Sequence, residues 1–310
     1  MPLRFIHCSD IHLLDLAGTS PARFLNKRLT GGVNLLLNRR RKHDPDLFRR
    51  IVEKAHQHQA DRLVVTGDLT NLALESEFEH VREHLDRAGL PVTVIPGNHD
   101  AYTRGSAREK RFEQYMAHLM EGEREPGHDY PFVQRHGDTA LVGVSTAIPS
   151  LPLYAVGRVG DEQLARLGRA LARLGDEGLA RVVLIHHPVL PGVAKPRHEL
   201  LDLDAFGRVI AEHGAELVLH GHEHKRIEGH LLGPGDRPVP VHGVGSGTYL
   251  SQKPGKHGAY AFYTVDPGGV TREYHRWDGR DFVPDPSTPS STPSSTPPSS
   301  PPPAHTAQPR

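Results

Sequence analysis

Aspartate, asparagine and histidine recur in five short motifs between residues 9 and 224 of the chain. In chain order the motifs are SDIH, GDLTN, GNHD, HHP and HGHEH, and each follows a short apolar run that predicts a β-strand. Imidazole, carboxylate and amide ligands without a thiolate are typical of sites for Mn, Fe, Zn or Ni and are less typical of a structural zinc site. The candidate metal ligands are Asp10, His12, Asp68, Asn98, His186, His222 and His224.

This set of donors is too large for one ion and suits two, provided that one carboxylate bridges them. Two ions roughly 3.5–4 Å apart can polarise a phosphate, hold a bridging hydroxide as the nucleophile and neutralise the leaving oxygen. Gly67, Gly97 and Gly221 lie beside the motifs and allow tight turns where the backbone leaves a strand. A lone Asp could instead cap a helix, and a lone Asn could occupy a turn. Their repetition at successive strand ends favours a dinuclear metal site.

The elements that must position these residues alternate between strands and helices before the pattern becomes mainly β. LRFIHC predicts a strand, and DPDLFRRIVEKAHQHQA predicts a helix with Asp44 as its cap. A single helix is expected near residues 107–119, and the final third is β-rich with Gly punctuation. This order predicts an α/β fold, a four-layer αββα sandwich of two mixed β-sheets flanked by helices. The metal site is expected at the carboxyl ends of the strands.

The composition excludes several classes of protein. The 310 residues contain 37 basic and 37 acidic side chains, so the chain gives no strong nucleic-acid signal. The single cysteine, Cys8, excludes an internal disulfide and fits a reducing compartment. We find no apolar run of about twenty residues and no evident export signal, and we therefore expect a cytoplasmic protein.

We expect one domain over residues 1–283 and a disordered, Ser/Thr/Pro-rich tail over residues 284–310. Inside the domain, residues 23–42 (RFLNKRLTGGVNLLLNRRRK) combine basic clusters with apolar residues and contain no acid. Their spacing predicts a helical insertion near the active site. Three interpretations remain open: a packed hairpin with a solvated basic end, an interfacial membrane element, and a cap whose arginines engage phosphate.

Taken in order, SDIHLL, GDLTN, GNHD, HHP and GHEH resemble the motifs of the calcineurin-like metallophosphoesterase superfamily, from about Leu3 to His224. The resemblance implies two divalent metal ions, Mn²⁺ or Fe²⁺/Fe³⁺ with Zn²⁺ as a further option. It also implies that Asp68 bridges them. One ion would be held by Asp10, His12 and His224, and the other by Asn98, His186 and His222.

The same resemblance implies catalytic roles for His99 and Asp100. His99 would contact the phosphate and help to protonate the leaving group, and Asp100 would orient His99. Asn98 and His187 are further candidates for substrate binding, although His187 fits a loop-filling role equally well.

Differences between subfamilies limit the possible substrate classes. Protein phosphatases of this type carry Asp-Arg-Gly after the second motif and Glu after GNH, whereas this chain has GDLTNLALE and Asp100. The motifs most resemble those of class III 3′,5′-cyclic nucleotide phosphodiesterases, which implies a small-molecule phosphodiester such as cAMP or cGMP. The alternative is a membrane-associated UDP-2,3-diacylglucosamine pyrophosphohydrolase of lipid A synthesis, with residues 23–42 in peripheral contact with the inner membrane. A nuclease or a non-catalytic scaffold is less favoured, and a homodimer remains open.

Overall fold

The computed structural model describes residues 1–14, 42–251 and 256–285. The basic stretch 23–42, apart from Lys42, lies outside the described residues, as does the chain from residue 286 onward. Within the described ranges, no helix has the length and apolarity needed to cross a membrane.

Strands form two six-stranded sheets in the described part of the chain. Numbered in chain order, they are β1 (Leu3–Cys8), β2 (Arg62–Thr66), β3 (Val92–Ile95), β4 (Phe132–His136), β5 (Thr139–Gly143), β6 (Ala180–Leu184), β7 (Leu217–His220), β8 (Ile227–Leu232), β9 (Pro238–Gly243), β10 (Ala259–Asp266), β11 (Gly269–Trp277) and β12 (Phe282–Pro284). The first sheet has the spatial order β12-β11-β10-β1-β2-β3, and the second has β4-β5-β6-β7-β9-β8.

Helices flank the two sheets. They are α1 (Pro45–Gln57), α2 (Glu75–Asp86), α3 (Arg104–Arg108), α4 (Arg111–Met116), α5 (Asp161–Asp176) and α6 (Leu203–His213), with 3₁₀ turns at Ala117–Met120 and Pro234–Asp236. The α1 helix begins as predicted, because the Asp44 side chain accepts a hydrogen bond from Asp46 N and Pro45 occupies the first turn.

The region near residues 107–119 differs from the single helix that we expected. The α3 helix ends at Arg108 and α4 begins at Arg111, and between them Lys110 adopts a left-handed φ of 49°. A left-handed residue cannot continue a right-handed helix, so the chain changes direction here. The amphipathic pattern runs across the break and therefore gives no sign of it.

Side-chain alternation along the strands of the second sheet explains the layers. Leu184 and Leu219 belong to the core shared with the first sheet. Their neighbours Val183 and Val218 pack instead in a separate core with α5 and α6, around Phe206. Successive side chains of a strand point to opposite faces, so this sheet is buried on both sides. The α/β class and the two mixed sheets with flanking helices are confirmed.

The direction of the parallel strands gathers the predicted site at one edge of the sandwich. β1, β2 and β3 run parallel in the first sheet, and β5, β6, β7 and β9 run parallel in the second. Beyond the strand ends, a bridge pairs Ser9 with Ser246, and Gly247 N donates to Ser9 O at 2.8 Å. The carboxyl ends of strands from both sheets therefore meet around one site.

Candidate metal centre

The predicted ligands lie two or more residues beyond the ends of β1, β2, β3, β6 and β7, and most of their donor atoms converge in two groups. Asp10, His12 and Asp68 offer donor atoms that all lie within 4.8 Å of one another, and Asp68, His186 and His222 form a second such group. Asp68 belongs to both groups, which is the position that a bridging carboxylate requires.

The first group is completed by His224. Its Nε2 lies 3.2 Å from Asp10 Oδ1 and 3.4 Å from His12 Nε2. Asp68 Oδ2 lies 3.8 Å from the same His12 nitrogen. Asp10 Oδ1 is buried and accepts no hydrogen bond from the described residues. A buried carboxylate oxygen without a hydrogen-bond donor fits a metal ligand, because burying an unbonded charge is otherwise costly.

The second group is completed by Asn98. His186 Nε2 lies 3.2 Å from His222 Nδ1 and 3.3 Å from Asn98 Oδ1. Asp68 Oδ1 lies 3.5 Å from His186 Nε2. The two oxygens of Asp68 therefore face different groups: Oδ2 faces the first and Oδ1 faces the second.

Backbone carbonyls fix the tautomers of three of these imidazoles. A carbonyl oxygen only accepts, so the ring nitrogen facing it carries the proton and the other nitrogen keeps its lone pair. The three bonds are His12 Nδ1 to Thr70 O at 3.1 Å, His186 Nδ1 to Thr66 O at 2.7 Å and His222 Nε2 to His198 O at 3.1 Å.

This arrangement makes the donor set suitable for cations. In the neutral rings, the nitrogens of His186 and His222 that face each other at 3.2 Å both carry lone pairs. Lone pairs at that distance repel, and a proton on His186 or a metal cation between the two rings relieves the repulsion. The residues therefore fit two divalent ions. When bound, such ions supply the Lewis acidity that polarises a phosphodiester.

Electrostatics at Asp68 follow from its position between the two groups. Burial alone would raise the pKa of Asp68, but His186, His99 and His12 hold it well below its usual range. Burial likewise lowers the pKa of His186, but the Asp68 carboxylate raises it to about 9. Asp68 is therefore ionised, as a bridging ligand must be.

The backbone is strained where it carries the ligands. Left-handed conformations cost non-glycine residues about 1–2 kcal/mol each, and such strain collects at functional sites. Five of the predicted ligands have positive φ: Asp10 (53°), His12 (44°), Asp68 (52°), His222 (73°) and His224 (51°). Two of them are held by backbone hydrogen bonds of 3.0 Å: Asp10 N donates to Gly67 O, and His12 N donates to Asp68 O.

His99 stands at the wall of the site, but its orienting partner is not the one we expected. Its backbone nitrogen donates to Asp68 Oδ1 at 2.8 Å, and its Nδ1 lies 2.7 Å from Asn71 O. The ring meets the His12 ring edge-on, with centroids 5.1 Å apart. The Asn71 carbonyl, rather than the carboxylate of Asp100, thus sets the orientation of the His99 ring.

Asp100 instead joins the two loops that carry Asp68 and Asn98. Its buried carboxylate accepts hydrogen bonds from the backbone nitrogens of Leu69, Thr70 and Gly97 and from the Thr70 hydroxyl, at 2.9–3.2 Å. Burial and the nearby Asp68 raise the pKa of Asp100 to about 7, against the lowering effect of these backbone N–H groups. Asp100 therefore positions the ligand loops.

His187 is fully buried and packs behind the ligands. Its Nδ1 lies 2.7 Å from Thr146 Oγ1, and its Nε2 lies 3.1 Å from Ala155 O. Its ring centroid is 4.3 Å from that of His222. Among the described residues His187 does not line the cavity, so the direct substrate contact that we considered for it does not match its position.

A cavity of about 520 Å³ opens over the ligands. Its walls also carry three basic side chains, those of Lys195, Lys225 and Lys256. Lys195 Nζ pairs with Glu223 Oε2 at 2.8 Å, and Glu223 lies between two ligands in the chain. Only Lys225, directly after GHEH, had a signal in the sequence. The other wall residues besides Asp68, Asn98, His99, His222 and His224 are Glu223, Ala155, His198 and Tyr249.

A sequence profile of the calcineurin-like phosphoesterases matches residues 3–226. This range is more than half of the chain and contains every predicted ligand. The chain belongs to the calcineurin-like phosphoesterase family. The two-sheet fold described above is therefore that of a family member.

Individual relatives and structures agree with this assignment. A probable cyclic nucleotide phosphodiesterase of Synechococcus is 30% identical over 173 residues, which cover 54% of this chain and 60% of the relative. A glycerophosphodiester phosphodiesterase of Enterobacter lignolyticus is 28% identical over 135 residues, 44% of each chain. The chain thus spans about half the length of these curated relatives. The crystal structure of a dimetal phosphatase from Danio rerio shares the fold, with a TM-score of 0.62 at 15% identity over 92% of this chain and 99% of that one.

Proposed function

We propose that this protein is a dinuclear-metal phosphodiesterase that hydrolyses 3′,5′-cyclic nucleotides, cAMP or cGMP, to 5′-monophosphates. The position of Asp68 is the main support, because its two oxygens face two separate groups of metal donors. The proposed ions are Mn²⁺ or Fe²⁺/Fe³⁺, with Zn²⁺ as a further option, as expected for imidazole and carboxylate donors. The names of the two curated relatives favour a phosphodiester as the substrate class.

His99 is the proposed general acid. Asn71 O accepts a hydrogen bond from its Nδ1 at 2.7 Å, so the transferable proton is the one that Nε2 carries when the ring is doubly protonated. His99 also contacts both sides of the site, through its backbone bond to Asp68 and its ring contact with His12. We assign it to protonate the leaving 3′ oxygen, and we assign the Asn98 amide to the phosphate-facing side of the second group.

The cavity suits a small anionic substrate. Its volume of about 520 Å³ lies within the range of small-molecule sites. Lys225 and Lys256 add positive charge to its walls and favour association with an anion, whereas Lys195 pairs with Glu223. A mononucleotide fits these requirements.

Four further expectations remain predictions. The lipid alternative, UDP-2,3-diacylglucosamine hydrolysis, and peripheral membrane contact both depend on residues 23–42, which lie outside the described residues apart from Lys42. The cytoplasmic location and the homodimer are likewise not tested by the described contacts.

A product assay tests the proposal. Mn²⁺-loaded protein is incubated with cAMP and cGMP, with a glycerophosphodiester, and with UDP-2,3-diacylglucosamine in detergent micelles. We expect 5′-AMP or 5′-GMP, and we expect His99→Ala to lower its release about 10²–10⁴-fold, since general acid catalysis contributes that much. His118→Ala is the matched control, because His118 is about half exposed and pairs with Asp86 away from the cavity.

Each outcome has a distinct meaning. Release of UMP from the lipid with negligible turnover of cyclic nucleotides would replace the proposed substrate by the lipid alternative. Preferential cleavage of the glycerophosphodiester would keep the mechanism and change the substrate. Failure of the metal-loaded protein to hydrolyse any of them would contradict a phosphodiesterase.

A further inference from the structure

His43 lies where the chain enters α1, beside the metal centre. The residues on either side of it pair with the segment that follows β9: Asp44 N donates to Thr248 O at 2.9 Å, and Leu250 N donates to Lys42 O at 2.8 Å. His43 itself forms an antiparallel bridge with Tyr249. The two hydrogen bonds that form this bridge thus fix the backbone of His43 in place. No sequence motif points to it.

The His43 ring faces two predicted ligands of the first group. His12, His43 and His224 each offer a ring nitrogen, and these atoms all lie within 4.8 Å of one another. The ring centroid of His43 is 4.9 Å from that of His12 and 5.9 Å from that of His224, with interplanar angles of 75° and 89°. The rings therefore meet edge-on, as imidazoles around a shared cation do.

Two hydroxyl groups determine which nitrogen of His43 carries the proton. His43 Nδ1 lies 2.8 Å from Thr248 Oγ1, and this hydroxyl donates its only proton to Ile11 O at 2.8 Å. Ser246 Oγ, 3.5 Å from the same nitrogen, likewise donates to Asp10 O at 2.7 Å. Both hydroxyls can therefore only accept from His43, so Nδ1 carries the proton and Nε2 keeps the lone pair.

His12, His186 and His222 show the same pattern: one ring nitrogen donates a hydrogen bond to a backbone carbonyl, and the other nitrogen faces the proposed metal. We propose that His43 is a further ligand of the ion held by Asp10, His12 and His224, and that it coordinates through Nε2. This inference rests on the two-metal site of the proposed function. A donor set so rich in imidazole selects Mn, Fe, Co, Ni or Zn over Mg and Ca.

Cobalt binding tests the inference without reference to activity. The full chain is stripped of metal, shown to be folded by circular dichroism and titrated with Co²⁺, whose visible absorption depends on the number and type of its ligands. We expect wild-type protein to bind two ions. His43→Ala should weaken one of the two steps at least about 10-fold and change its spectrum, and Thr248→Val should weaken the same step about 10-fold by freeing the His43 tautomer.

His118→Ala serves as the histidine control and should match wild type in both affinity and spectrum. Two ions bound by His43→Ala with wild-type affinity and spectrum would overturn the inference and leave the two-metal site intact. Weaker binding of Co²⁺ with an unchanged spectrum would also overturn the inference, because it would show that His43 positions the site without coordinating the ion. Wild-type protein that binds fewer than two ions would overturn both the inference and the proposed site. If His43→Ala does not fold, Thr248→Val decides: loss of affinity at one step supports the inference, and wild-type binding overturns it.

Discussion

Gly97 packs so closely against the loop that carries Asp68 that no side chain fits there. A Cβ atom at this position would lie 2.2 Å from Asp68 Oδ1 and 2.3 Å from Asp68 N. Ordinary non-bonded contacts lie at about 3.5–4.0 Å. Gly97→Ala must therefore displace the Asp68 carboxylate or its own loop by more than about 1 Å. Since φ at Gly97 is not in the left-handed region, the effect is steric.

The size of the effect follows from the role of Asp68. A misplacement of 1 Å in catalytic geometry costs about 100-fold in rate, which corresponds to about 2.7 kcal/mol of transition-state stabilisation. Overpacking at a buried site costs about 1–3 kcal/mol of the free energy of unfolding. We therefore expect Gly97→Ala to remain folded while it loses at least about 100-fold in kcat/KM.

The assay compares kcat/KM for cAMP, bound metal and thermal unfolding in Gly97→Ala and in Gly207→Ala. Gly207 lies inside α6, and a Cβ atom added there meets nothing within 4 Å. The control should keep its activity and gain about 0.5–1 kcal/mol of stability, as helical Gly→Ala changes do. A Gly97→Ala protein with the activity and metal content of the control would refute the bridging role of Asp68.

Three further predictions concern the metal, a buried acid and a buried histidine. Chelation should abolish phosphodiesterase activity and added Mn²⁺ should restore it; activity that persists in chelator would contradict the mechanism. Burial raises the pKa of Glu77 from 4.5 to about 7, although it accepts hydrogen bonds from the backbone. The contribution of Glu77 to the stability of the metal-free protein should therefore be full below pH 4.5 and should decrease by up to about 3 kcal/mol as the pH rises through 7. Thermal unfolding of wild-type protein and Glu77→Gln at several pH values checks this, and an equal pH dependence of the two would contradict it. His187→Ala should lower the unfolding temperature because Thr146 and Ala155 lose their hydrogen bonds to the imidazole. Since His187 does not line the cavity, a raised KM with an unchanged unfolding temperature would contradict its assignment as a buried packing residue.

The fold and the convergence of the candidate ligands could be predicted from the sequence because both depend on local patterns. Short, largely buried apolar runs define the strands, and the polar residues Asp10, Asp68 and Asn98 follow two or three residues after Cys8, Thr66 and Ile95. Parallel strands then bring their carboxyl ends to one edge without further information. The grouping of the donors around Asp68 follows from this topology.

The parts that the sequence did not predict depend on contacts between distant segments. His43 reaches the metal centre only because its neighbours pair with Thr248 and Leu250, about two hundred residues away. Lys195 reaches the cavity through its pair with Glu223. A sequence motif does not indicate such contacts between distant segments.

Anomalous X-ray diffraction from Mn²⁺-loaded crystals, recorded near the manganese edge, tests the central claim most directly. We predict two peaks roughly 3.5–4 Å apart, one on each side of the Asp68 carboxylate. A single peak, or peaks that do not contact Asp68, would contradict the dinuclear site on which the proposed phosphodiesterase activity depends.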